Sequence, residues 1–167
     1  KRILRKNSDV KTQVMTADFH EDHYLLYEKY LHSRHADGDM YPPSRSQYRS
    51  FLVDGHSSTH FIEFTLDEHL YAVAVCDHLN DGLSAIYTFF DPDYASLSPG
   101  KMAILWQINE AKRKKLDYLY LGYFIKDCRK MSYKNQYSPF EARIDNHWFN
   151  EKQLNELADQ SQNNAAQ

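Results

Sequence analysis

The chain is poor in cysteine. Only Cys76 and Cys128 occur among its 167 residues, and there is no Cys-x-x-Cys pair. That argues against a zinc module and fits a reducing cytoplasm. Long hydrophobic runs are also missing. The longest apolar stretches, such as residues 70–76, are far shorter than a membrane span, and no signal peptide is visible. Nor is there an excess of positive charge. The net charge of -3, taken alone, argues against a nucleic-acid binder, so the local distribution decides. Lys1, Arg2, Arg5 and Lys6 form one basic run and Lys112-Arg-Lys-Lys115 another, while Asp18, Glu21 and Asp22 gather elsewhere. Each basic run is either a solvated face or a binding surface.

Aromatic rings are abundant. They make up 14% of the chain, with 13 Tyr and 9 Phe, within 42% apolar residues. The length suits one domain with a real core. Bulky rings are more often packing than recognition, so most of them belong to that core.

The pattern along the chain predicts a mixed α/β fold. Val10, Thr12 and Val14 alternate, which suggests a first strand over 9–16. Residues 17–33 read as a helix with Thr16 as N-cap and Phe19, His23, Leu26, Tyr27, Tyr30 and Leu31 on one face. Gly38, Pro42 and Pro43 mark a loop. Ser44 starts a second helix, with Gln47 completing a capping box. Strands follow over 60–66, 70–77 and 83–90, turning at Asp67-Glu68 and Asn80-Asp-Gly82. A helix over 101–115 enters through Ser98-Pro-Gly100. Then come a strand over 118–121, a helical turn near 126–135, a strand over 140–144, a short helix over 151–160 and a frayed tail.

The richest stretch is Tyr118-Leu-Tyr-Leu-Gly-Tyr-Phe-Ile-Lys-Asp-Cys-Arg-Lys-Met-Ser-Tyr-Lys-Asn-Gln-Tyr-Ser-Pro-Phe-Glu141. Tyr120, Tyr123, Tyr133 and Tyr137 alternate there with Lys126, Arg129, Lys130 and Lys134. Aromatic faces beside cations suit stacked bases and phosphates. This block, with Arg34-His-Ala-Asp-Gly-Asp-Met-Tyr41 and Ser84-Ala-Ile-Tyr-Thr-Phe-Phe-Asp-Pro92, resembles the C-terminal domain of the aminoacyl-tRNA–protein transferases. That family includes arginyl enzymes and bacterial enzymes that transfer leucine to N-terminal Asp or Glu. The resemblance covers residues 1–149. It implies an acetyltransferase-like (GNAT) domain there, a mixed sheet flanked by helices, which the order of elements also suggests, with 150–167 as a C-terminal helix and tail. The chain begins with Lys, and family members carry a cysteine-containing module before such a basic segment. An N-terminal module is therefore expected to be missing from this sequence.

The resemblance implies ester aminolysis: the α-amine of an acceptor protein attacks the carbonyl joining an amino acid to the tRNA 3′ end. The partners would be aminoacyl-tRNA and proteins with N-terminal Asp or Glu, marked thereby for degradation by the N-degron route in the cytoplasm, with no membrane and no cofactor. Leucine is favoured as donor over arginine because the chain lacks the long inserts of eukaryotic arginyl enzymes. An α-amine has a pKa of about 7.7, so the protein's main tasks are holding the amine and stabilising the oxyanion. Asp91 ends a strand and is either a turn-starting Asp-Pro acid or the group that orients the amine. Glu141 and Tyr87 are the other catalytic candidates. An acidic acceptor side chain needs a cation, ideally a bidentate arginine. The binding candidates are Arg34, Arg45, Tyr120, Tyr123, Arg129, Lys130, Tyr133 and Lys134. His20-x-x-His23 has metal-ligand spacing but no third ligand nearby. Leu97-Ser-Pro-Gly-Lys101 occupies the anion-binding loop of the fold and lacks a Gly-x-Gly pattern. Two other readings stay open: a coenzyme A-dependent N-acyltransferase, and a non-catalytic module that binds tRNA or protein.

Overall fold

The computed structural model describes residues 2–55, 58–125, 128 and 131–157. They fall into two compact units, 1–122 and 123–167. The units part inside the span 1–149 that the sequence reading treats as one domain.

The first unit contains α1 (Arg2–Lys6), β1 (Lys11–Thr16), α2 (Glu21–Arg34), α3 (Arg45–Tyr48), β2 (Thr59–Leu66), β3 (His69–His78), β4 (Gly82–Phe90), α4 (Pro99–Arg113) and β5 (Tyr118–Tyr120). A π-helical turn at Arg49–Val53 extends α3, and a 3-10 turn at Pro92–Leu97 leads into α4. The strands form one sheet in the order β1-β2-β3-β4-β5. Neighbours are antiparallel from β1 to β4, and β5 joins β4 in parallel.

β3 is the centre. Tyr71 to Val75 are all fully buried, so the strand reads as a continuous apolar run rather than an alternation. On its flanks alternation holds. Phe61 of β2 and Phe89 of β4 lie on one face with α2 and α3, where Tyr27 meets Tyr48 at 5.2 Å and Phe89 at 5.6 Å between ring centres. Phe64 points the other way, to Trp106 of α4. Burying such side chains stabilises the fold by roughly 1.5–3 kcal/mol each. Between β2 and β3 the two-residue turn Asp67-Glu68 has both φ angles positive, at 48° and 64°, the geometry that matches strand twist.

Two details depart from the sequence reading. α2 begins at Glu21, after an N-cap at His20 that makes no side-chain cap. Thr16 does not cap it: its residue still pairs with His60 in the sheet, and its hydroxyl donates to Asp18 Oδ2. The helix start at α3 matches its expectation, since Ser44 Oγ accepts from the Gln47 amide at 3.2 Å. The sequence marks α1 only as a basic run.

The second unit carries a 3-10 turn at Lys134–Gln136, then β6 (Glu141–Ile144) and β7 (His147–Asn150), which pair as an antiparallel hairpin. β7 is an addition to the elements expected from the sequence. The turn Asp145-Asn146 has positive φ at both residues, again the hairpin geometry. A helix over 151–157 follows. Asn150 Oδ1 accepts from the Gln153 amide and Gln153 Oε1 from the Asn150 amide, a reciprocal capping box. Among the described residues near 126–135 the helical conformation is 3-10, at Met131 and at Lys134–Gln136.

Candidate active site

β4 is paired on one side along its length and on the other only at its start. Gly82, Leu83 and Ser84 face Tyr118, Leu119 and Tyr120. Residues 85–90 have no strand partner on that side among the described residues. Gly82 allows the join. A Cβ there would lie 2.7 Å from the Tyr118 carbonyl oxygen, so only glycine admits the close approach. The free stretch also carries a bulge: Val75 pairs with Tyr87 and Cys76 with Ala85, leaving Ile86 as the extra residue. Bulges bend strands and leave a backbone group unpaired, often beside active sites.

Tyr87 stands on this open stretch. Its ring lies 5.6 Å from Phe51 of the π-helical turn and 6.3 Å from both Tyr27 and Tyr30. Burial, with Tyr30 and Tyr27 nearby, pushes its phenol pKa well up, so it keeps its proton at neutral pH. At the end of β4 the Arg34 guanidinium sits 5.2 Å over the Phe90 ring. Arg34 ends α2, whose C-cap residue His35 shares a hydrogen bond with Tyr30 at 3.2 Å. No carboxylate is paired with Arg34 among the described residues. Arg45 differs. It is ion-paired with Glu21, with Nε 3.3 Å from Oε2, and lies over Tyr24 at 4.5 Å. Geometry thus separates two arginines that the sequence presents as equals.

Asp91 is 4% exposed. Its Oδ1 lies 2.6 Å from Lys29 Nζ and accepts from the Asp93 amide at 3.0 Å, and its Oδ2 lies 3.2 Å from His69 Nε2. Burial raises the carboxyl pKa, but the Lys29, Asp93 and His69 hydrogen bonds outweigh it and hold the group below its ordinary value. Asp91 also caps the 3-10 turn. Lys29 reaches Asp93 as well, at 2.8 Å. Lys29 and His69 gave no signal in the sequence, because their meeting depends on α2 lying beside the β3–β4 end.

The remaining candidates divide between the two units. Tyr120 in β5 donates to Asp81 Oδ2 at 2.9 Å. In the second unit Tyr123 is 91% exposed, and Lys134 Nζ donates to its carbonyl at 2.6 Å. Burial lowers the Lys134 pKa. Burial raises the phenols of Tyr133 and Tyr137, the latter to about 12. Glu141 heads β6 opposite Asn150 and is exposed. Arg129 and Lys130 lie outside the described residues. His23 is turned to Glu63, with Nε2 2.6 Å from Oε1.

The family model described as "Arginine-tRNA-protein transferase, C terminus" matches residues 22–144. The aspartate/glutamate leucyltransferase of Marinobacter nauticus is 53% identical over 148 residues, covering 89% of this chain and 62% of that protein. The enzyme of the same description from Pseudomonas putida is 52% identical over 148 residues, covering 89% and 63%. The chain therefore spans less than two thirds of the length of the curated relatives it matches. Among solved structures, the ribosomal-protein-S18-alanine N-acetyltransferase of Escherichia coli superposes with a TM-score of 0.55 at 16% identity, covering 79% of each chain. The PaiA N-acetyltransferase of Thermoplasma acidophilum, solved with coenzyme A, gives 0.58 at 12% identity, covering 84% of this chain and 96% of that one. At these identities the likeness shows the acetyltransferase fold and nothing further.

Proposed function

Because the chain belongs to the arginine-tRNA-protein transferase family, of which it carries the C-terminal domain, we propose that it transfers an amino acid, leucine by preference, from aminoacyl-tRNA to N-terminal Asp or Glu of acceptor proteins. The observation that carries this reading is the open, bulged stretch of β4 ending beside an arginine with no carboxylate partner among the described residues. An extended acceptor N-terminus can lie along the free strand edge, with its acidic side chain at Arg34. The relatives named for aspartate and glutamate support that acceptor class.

The reaction needs no covalent enzyme intermediate. The neutral α-amine attacks the ester carbonyl, a C–N bond forms, the C–O bond to the ribose breaks, and the amine proton ends on the ribose oxygen. The Tyr87 phenol, still protonated, and the bulged backbone at Ile86 supply hydrogen bonds for the oxyanion. Asp91, ionised and ringed by donors, positions Lys29 and the 3-10 turn rather than taking the proton. The products are proteins with a new N-terminal residue, consistent with a degradation signal read in the cytoplasm. No helix among the described residues is long and apolar enough to cross a membrane.

A transfer assay tests the reading: tRNA charged with labelled leucine or arginine, and peptides beginning with Asp, Glu, Lys or Ala. Leucine incorporation confined to Asp- and Glu-peptides is expected. Equal labelling of Lys- and Asp-peptides would overturn it. Arginine incorporation in place of leucine would reassign the donor.

A further inference from the structure

We propose that α1 is the phosphate-binding surface for the donor tRNA, and that the second basic run, at the other end of α4, is not. The inference rests on the transferase reading.

α1 is only five residues long, yet it is not a loose end. Asn7, 4% exposed, follows it and makes three side-chain hydrogen bonds. Its Nδ2 donates to the Ile3 carbonyl at 2.8 Å and to the Leu97 carbonyl at 3.1 Å, and its Oδ1 accepts from the Tyr71 hydroxyl at 3.2 Å. Lys6 Nζ donates to the Ser96 carbonyl at 3.2 Å. One buried amide therefore ties α1 to β3 and to the turn that runs from Asp91 into α4. Arg2 and Arg5 are exposed on this fastened helix and make no ion pair among the described residues. They stand at the positive end of α4, on the side of the sheet where β4 ends and its edge is open.

Half of the other run is spent internally, while Lys112 and Lys115 stay exposed at the far end of α4. Arg113 makes two 2.7 Å hydrogen bonds to the Glu110 carboxylate. Lys114 lies 3.8 Å from the same carboxylate and 3.2 Å from His78 Nδ1. These residues close the negative end of α4, about 20 Å along a helix of this length from its start, beside the paired start of β4. A tRNA 3′ end delivered to the open stretch of β4 brings its acceptor-stem phosphates to the α1 end.

The experiment measures binding of leucyl-tRNA across a salt series for the wild-type chain, for Arg2→Gln/Arg5→Gln and for Lys112→Gln/Lys115→Gln, with melting temperatures alongside. The α1 variant is expected to flatten the slope of log affinity against log salt by roughly one to two units without loss of melting temperature. The α4 variant should keep the wild-type slope. Wild-type binding with an unchanged slope in the α1 variant, or a flattened slope only in the α4 variant, overturns the surface alone. A wild-type chain that leaves leucyl-tRNA unbound overturns the transferase reading and the surface together. Loss of Asp-peptide binding with tRNA binding intact in the α1 variant would make this a protein-binding face and defeat the proposal.

Discussion

The Asp91 carboxylate lies 2.6 Å from the Lys29 ammonium, with Asp91 almost fully buried and Lys29 half in solvent. The pair joins α2 to the end of β4, and its acid is surrounded by donors. Replacing Asp91 by Asn leaves Lys29 without its buried counter-charge. The expected loss of stability is about 1–3 kcal/mol, read from urea unfolding, while turnover per folded molecule falls less than tenfold. Adding Lys29→Met should recover part of the stability. A turnover loss near 10²-fold with unchanged stability would instead identify Asp91 as the general base. The pair also sets an acid limit. Its folded pKa is lowered, so its stabilisation is complete above the unfolded value near ~3.9 and disappears as pH falls through the folded one.

Arg34→Ala should lower kcat/KM for Asp- and Glu-peptides by roughly 10- to 100-fold and leave tRNA affinity unchanged. Arg34→Lys should restore part of it. Arg45→Ala should act mainly on stability, because its charge is already paired with Glu21. Peptide competition with Asp- against Ala-peptides measures both. Undiminished Asp preference in Arg34→Ala would remove Arg34 from the acceptor site.

Gln107 is 0% exposed on α4, and neither its Nε2 nor its Oε1 has a hydrogen-bond partner among the described residues. An unpartnered buried amide destabilises by about 1–3 kcal/mol. Gln107→Met keeps the volume and removes the polar atoms, so its melting temperature should rise by several degrees. A lower melting temperature would mean that ordered water bonds the amide.

His23 has its pKa lowered by burial, which outweighs the Glu63 carboxylate. The folded protein therefore holds it neutral, and its contribution to stability is complete above the unfolded value near ~6.5 and is lost as pH falls through the folded one. The urea midpoint should drop between pH 8 and pH 5, and His23→Gln should reduce that drop. His78, lowered first by burial and then by Lys114, keeps a remainder. An identical drop in the variant would exclude His23 as a source.

Local signals carried most of the sheet. The apolar run of β3 and the turns Asp67-Glu68 and Asn80 to Gly82 were legible because strands and tight turns follow from a few neighbouring residues. α1 was not, because its stability comes from Asn7 bonding to Leu97 and Tyr71, far along the chain. Thr16 is a false cap signal because its hydroxyl has a nearer taker in Asp18. β7 escaped because four residues, His147–Asn150, show too little alternation to stand out beside a helix cap. At the candidate site, the sequence offers Asp91, Tyr87 and Arg34 as candidates but not the surroundings that distinguish them. The pairing of Arg45 with Glu21, and the lack of such a partner for Arg34 among the described residues, are tertiary facts.

β5 is held to the sheet by only three residue pairs, whereas β2, β3 and β4 are laced together along most of their lengths. Opening free energies vary across a protein with the number of bonds that must break together. Amide hydrogens of Leu119 and Tyr120 should therefore exchange long before those of Val73 to Val75, through a local unzipping that leaves the antiparallel meander intact. Each such event lengthens the bare margin of β4 by up to three residues, toward Gly82. The seam beside the open stretch of β4 is thus the one that parts most cheaply, and the width of that opening is set by a fluctuation rather than by a fixed gap.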